Sequence, residues 1–270
     1  MPVFSSILCA VDRSPLASRV LRHAAGLAGL CDAELTLLGV SDDDTREYQA
    51  ELTRLIESSL PYGASYLKVP RVRVVRITQG HPADAIVELA RTGYDLVVAG
   101  THARTGLARW FLGSTSAALL ERAPCPTLLV PPGDTQMVTL DTNRVLLNVG
   151  AVLAAVDLAE PNPAQLSLAA ALASLARQPL VVMTVADDLT TDEAAARQLR
   201  EWSDPLATDV AHHIVVRRGA IADEIHRAAV AEPAGLVVMG LRGPGHGMPG
   251  EIATAVLRSK DALVLAVPPA

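Results

Sequence analysis

Aromatic residues are scarce: Phe, Trp and Tyr together make up 3% of the 270 residues. That removes the stacking platforms on which single-strand nucleic-acid binders seat successive bases. The core must instead be built from Val, Leu, Ile and Ala, which a 50% apolar composition supplies. Basic charge is also short. Lys and Arg number 23 against 29 Asp and Glu, a formal net charge of −6, which argues against a general binder of nucleic acid or anionic membrane. The three cysteines, Cys9, Cys31 and Cys125, lie too far apart for a CxxC motif. They are expected as small buried or half-buried thiols in a reducing compartment.

Long hydrophobic runs are missing too. Mean hydropathy is +0.30, yet no apolar run approaches the roughly 18 residues of a membrane span. The richest stretch, VLLNVGAVLAAV (145–156), is short and interrupted by Asn148. No basic, apolar, small-residue pattern marks a secretory leader. These absences lead to the expectation of a soluble cytoplasmic protein with no membrane or nucleic-acid partner. The catalytic signatures GxSxG and GxxxxGK[ST] do not occur. His212 and His213 are neighbours on an expected strand, so they point to opposite faces and cannot share one ion. No His, Cys and carboxylate set has metal-ligand spacing.

What the chain does contain is itself, twice. ILCAVDRSPLASRVLRHAAGLAGLCDAELTLLGV (7–40) aligns without a gap on VLAAVDLAEPNPAQLSLAAALASLARQPLVVMTV (152–185). GHPADAIVELARTGYDLVVAG (80–100) matches GAIADEIHRAAVAEPAGLVVMG (219–240) with one inserted residue. GSTSAALLERAPCPTLLVPP (113–132) matches GEIATAVLRSKDALVLAVPP (250–269). Three blocks in the same order make a duplication. Two domains, 1–133 and 148–270, with a polar linker at 134–147, are the expected organisation.

Each copy alternates strand and helix. Strands are expected near 6–11, 34–40, 71–77, 95–99 and 127–131, and again near 151–156, 179–185, 212–217, 235–239 and 262–267. They are continuous apolar runs, the pattern of strands covered on both faces by helices. The fold class is therefore α/β: two repeated doubly wound domains, each a five-stranded parallel sheet of order 3-2-1-4-5 with about four helices. The last strands, TLLVPP and LVLAVPP, have edges that need covering. Pairing through them would make the chain an intrachain pseudo-dimer, and a homodimer of such chains is compatible with it.

In such a sheet ligands sit beyond the carboxyl ends of the strands, where the order reverses. Asp12 ends strand 1 and Gly100 ends strand 4, so both would face one crevice. Gly100 is expected to permit a sharp turn and close ligand approach. Gly113-Ser114-Thr115 opens the next helix, whose free N–H groups and positive dipole end suit a phosphate. Arg104 and Arg109 lie in the loop between. Two plainer roles stay open: Ser114 or Thr115 as a helix cap, and Asp12 as a cap for the helix starting near Pro15.

The order of these elements carries a resemblance. A strand ending in Asp, the block GHPADAIVELA, a G-x2-G-x9-G-[ST] pattern after the fourth strand and a Pro-Cys-Pro entry to the last strand resemble the universal stress protein family. The likeness spans nearly the whole chain as two tandem copies. It implies ATP, with Mg²⁺ as a companion ion, held in domain 1. Carried over, Asp12 and Val40 would contact adenosine. Gly100, Ala103, Gly113, Ser114, Thr115 and Ser116 would surround ribose and phosphates. Ala103 stands where the family has its second glycine. If that position needs positive φ, alanine costs about 1 kcal/mol; if it needs only room, one methyl crowds the ligand. The acidic run SDDDTRE (41–47) could hold Mg²⁺ only by curling over the crevice.

The second copy departs further. Six residues separate Gly243 from Gly250, against nine between Ala103 and Gly113, and Glu251 replaces Ser114. A carboxylate there repels phosphate and itself satisfies the helix N–H groups. Domain 2 is expected to bind ATP poorly or not at all. The leading expectation is a stress-response protein that binds ATP in domain 1 as a nucleotide-responsive switch or scaffold, with at most slow hydrolysis and no placed catalytic base. The alternatives are an interaction module that binds no nucleotide and an enzyme on an adenine-nucleotide scaffold.

Overall fold

The computed structural model describes residues 3–41, 45–62, 64–77, 80–101, 112–133, 137–242, 250–258 and 262–269. The chain divides into two compact units, 1–132 with 138–147, and 133–137 with 148–270.

The first unit runs β1 (Ser6–Val11), α1 (Ala17–Cys31), β2 (Glu34–Ser41), α2 (Thr45–Ser59), β3 (Arg71–Arg76), α3 (Pro82–Ala90), β4 (Leu96–Gly100), α4 (Ser114–Arg122) and β5 (Thr127–Val130). The sheet is parallel, in the order β3-β2-β1-β4-β5. β1, β4 and β5 are buried along nearly their whole length, as strands with helices on both faces must be. β3 departs from the expected continuous run. Its sequence RVRVVR alternates exposed arginines with half-buried valines, because it borders the unit's sheet and its charges blunt that edge. Helix α1 is Ala- and Leu-rich and buries ten of its fifteen residues. It stops at Asp32, which adopts φ 54° and donates its N–H to Ala28 O, a left-handed C-terminal turn.

The segment expected as a linker is partly structured. β6 (Val138–Leu140) and β7 (Val145–Leu147) form an antiparallel hairpin, closed by Asp141 N–H donating to Arg144 O at 3.0 Å. The hairpin lies on α1 at Gly26, where a Cβ would come within 2.1 Å of Val138 Cγ1. Glycine in mid-helix has a helix-propensity cost, and here it makes room for the hairpin. Tyr66 Oη donates to Asp141 O and holds the hairpin turn.

The second unit runs β8 (Val152–Ala155), α5 (Pro163–Ala176), β9 (Leu180–Val185), α6 (Asp192–Ser203), β10 (His212–Arg217), α7 (Ile221–Ala231), β11 (Leu236–Gly240), α8 (Glu251–Leu257) and β12 (Leu263–Val267). Its strand order, β10-β9-β8-β11-β12, repeats that of the first unit. α5 is capped by Asn162, whose Oδ1 accepts from Gln165 N–H at 3.2 Å, and has Pro163 in its first turn. The three cysteines are free and buried. Burial pushes the Cys125 thiol up to about 11 and raises Cys9 and Cys31 as well. No helix among the described residues is long and apolar enough to cross a membrane.

Candidate functional site

β1 and β4 are direct neighbours, paired from Ile7 with Leu96 to Ala10 with Ala99, and the strand order reverses between them. A cavity of about 830 Å³ opens there, at the carboxyl ends of the strands. Its walls include Asp12, Val40, Gly100, Gly113, Ser114, Thr115 and Ser116. Seven of the eight site residues expected from the sequence therefore meet in one space. The eighth, Ala103, lies outside the described residues, as do His102, Arg104, Arg109 and the acidic residues 42–44.

Asp12 does not cap α1. The cap position belongs to Leu16, which has no side-chain cap bond, and Asp12 Oδ1 instead accepts from Ser14 N–H at 3.0 Å. This short turn fixes an exposed carboxylate at the cavity rim. Tyr48 from α2 ties down the strand end beside it by donating to Val11 O at 3.2 Å. Burial raises the Tyr48 phenol to about 12, so it stays a donor. Arg13 stacks over the Tyr48 ring, 4.6 Å from its centroid, and pairs with Glu51 at 2.8 Å.

The opposite wall is the start of α4. Its first intrahelical bond runs from Ala117 N–H to Gly113 O, so the N–H groups of Ser114, Thr115 and Ser116 have no partner within the helix. No acidic residue occupies the first turn. The cap residue Gly113, at φ −60° and ψ 149°, makes no side-chain cap bond. Any residue can adopt those angles, so the position does not require glycine's conformational freedom. Ser114 and Thr115 fall inside the helix and are not its cap. The Ser116 hydroxyl donates to Gly100 O at 2.7 Å and is buried; its role is to lock α4 to the end of β4. Gly100 also differs from expectation. Its φ is not positive, and a Cβ there would meet Leu16 Cδ2 at 2.9 Å. This glycine lets α1 pack on β4.

His81 was not singled out by the sequence. It caps α3: Nδ1 accepts from Ala83 N–H at 3.2 Å, and its own N–H donates to Asp84 Oδ2. With Nδ1 an acceptor, the neutral ring carries its proton on Nε2, which lies 2.9 Å from Ser114 Oγ. Ser114 thus receives one hydrogen bond and keeps a hydroxyl proton of its own to donate. Arg122 Nη1 donates to Asp84 Oδ1 at 2.6 Å and holds that carboxyl below its usual range. The His-Pro-x-Asp pattern is legible as a helix start; the serine 33 residues away is not.

In the second unit the corresponding cavity is only about 230 Å³. Met239 replaces Ala99, Gln165 replaces Val20, and Ile221 and Ile252 replace Pro82 and Thr115. Asp157 repeats the Asp12 turn, accepting from Ala159 N–H at 3.0 Å. Its other oxygen is taken by Arg242, through Nε at 2.9 Å and through Nη2, and this bond raises the Arg242 pKa. Ala220 and Glu251 stand where the first unit has His81 and Ser114. Gly243 and His246 lie outside the described residues.

The sequence profile of the Universal stress protein family matches residues 4–131. A Staphylococcus epidermidis protein that carries the family's name is 33% identical over 140 residues, 47% of this chain and 84% of that one. The chain belongs to the universal stress protein family. Universal stress protein A homolog 1 of Coxiella burnetii is 32% identical over 140 residues, covering 96% of its own length. Beyond these half-length relatives, a universal stress protein from Archaeoglobus fulgidus superposes with a TM-score of 0.69 at 20% identity, covering 98% of both chains. That likeness extends the universal stress protein fold through the second unit.

Proposed function

We propose that the first unit binds ATP and that the protein acts as a nucleotide-responsive switch or scaffold, with at most slow hydrolysis. One observation carries this: a single cavity brings an exposed carboxylate, Asp12, opposite an acid-free helix start whose three leading N–H groups are open. The N–H groups of Ser114, Thr115 and Ser116, with the Ser114 hydroxyl, suit phosphate oxygens. Asp12 suits a ribose hydroxyl or the adenine amino group, and Val40 offers an apolar wall. A volume of about 830 Å³ falls in the range of small-molecule and cofactor sites. Mg²⁺ would arrive with the triphosphate and neutralise part of its charge.

Native mass spectrometry of freshly purified protein tests this. One ATP or ADP per chain is expected. No nucleotide, followed by no calorimetric heat on adding Mg-ATP, overturns it in favour of an interaction module. Two per chain would contradict the contrast between the units.

A further inference from the structure

The second unit keeps the crevice of the first but has reversed its chemistry. The first crevice offers donors at α4. Of the described residues lining the second, three are carboxylates, Asp157, Glu160 and Glu251, and Arg242 is the basic one. That guanidinium is already committed to Asp157, with Glu160 3.9 Å away. Deeper in, Gln165 is 1% exposed. Its Nε2 donates to Ala155 O at 2.8 Å and Val238 O at 3.0 Å. Two carbonyl acceptors fix which end of the amide is nitrogen. The Oε1 end is thereby left as an acceptor on the cavity wall, 3.0 Å from where a Cβ on Gly240 would sit. Apart from Thr184, the side chains of the remaining wall are aliphatic or thioether, among them Met183, Met239, Ile225 and Ile252.

We propose that this cavity is a second binding site, separate from the nucleotide site, for a small amphipathic cation: an ammonium group on a short apolar body. The acceptors demand a donor-rich head, and the net negative rim rejects an anion. The methionine and isoleucine wall takes the apolar part, with the flexible Met side chains adjusting to its shape. The volume of about 230 Å³ limits the ligand to a small molecule.

The test uses the full chain labelled with ¹³C at its methionine methyls, because Met183 and Met239 report from inside the cavity. Their signals are assigned from Met183→Leu and Met239→Leu. Hexylammonium, hexanol and hexanoate are titrated in turn. Saturable shifts of both signals are expected with hexylammonium, about tenfold weaker binding with hexanol, and none with hexanoate. Glu251→Gln, an exposed change at the start of α8, should weaken hexylammonium about threefold or more. Equal binding of all three probes would reduce the site to an apolar hole and overturn the proposal. So would preference for hexanoate, silence of both methyls, or indifference to Glu251→Gln.

Discussion

Replacing Gly113 with Asp should separate stability from binding, two properties that most mutations damage together. Gly113 is the cap residue of α4 and sits at φ −60°, ψ 149°, angles an aspartate adopts without strain. An Asp cap accepts from the N–H of the second or third helical residue and opposes the positive helix end, so Gly113→Asp should raise folding stability by about 0.5 kcal/mol. The same carboxylate occupies the proposed phosphate position. Two unit charges about 4 Å apart repel by about 4 kcal/mol at an effective dielectric of about 20. Partial exposure and salt reduce this to about 2–3 kcal/mol, a loss of about 30- to 150-fold in ATP affinity. Gly113→Asn, nearly isosteric and uncharged, should keep the stability gain and lose much less affinity. Urea denaturation reads the first quantity and calorimetry with Mg-ATP the second. Unchanged affinity in Gly113→Asp would remove the phosphates from α4. A matched fall in stability and affinity would show that Gly113 serves folding, contrary to its backbone angles.

His81→Asn keeps an acceptor for Ala83 N–H but removes the donor to Ser114; ATP affinity should fall about 5- to 10-fold, while adenosine, lacking phosphates, binds as before in the same calorimeter. His23 in α1 is buried, which pushes its imidazole down to about 4; its hydrogen bond to Arg19 O works against this, and the charges of Arg19 and Arg22 add to it. The folded state therefore binds fewer protons than the unfolded chain between pH 6.5 and 4, so stability is full above that window and falls by up to about 3 kcal/mol as pH drops through it. His23→Leu, the residue at the matching position 168, should flatten that dependence of the urea midpoint. Gly26→Ala should cost about 1–3 kcal/mol by driving a methyl into Val138, with partial recovery when Val138→Ala is added; an unchanged midpoint would show that the hairpin is not seated on α1.

The repeating strand and helix pattern was legible because each inner strand is apolar along its length and each helix begins at a turn. The strand order followed from the doubly wound class, and seven residues named for one crevice do line one cavity. What escaped was long in sequence separation or short in signal. His81 bonds Ser114 across 33 residues, and Arg242 reaches Asp157 across 85; no spacing rule announces either pair. The hairpin at 138–147 did leave a trace, the triplets Val-Thr-Leu and Val-Leu-Leu around Asp141-Thr142-Asn143-Arg144, but a three-residue strand is too brief for alternation to stand out from a polar linker. In sequence Gly100 reads as room for a ligand, because only tertiary packing reveals that Leu16 and Val20 occupy the space beside it.

The hairpin also decides how the molecule can be dissected. Residues 133–137 go with the second unit and 138–147 with the first, so the chain changes allegiance after 132, after 137 and again after 147. Scission before Val138 strips the first half of the strand pair that shields Gly26 on α1. Scission after Leu147 leaves 133–137 on the wrong fragment. A gene fragment ending at Pro132 would thus expose a bare stripe of helix to water and to other chains. No single cut therefore yields both units whole: a fragment 1–147 keeps the hairpin on the first unit, and only a separate fragment 133–270 keeps 133–137 on the second.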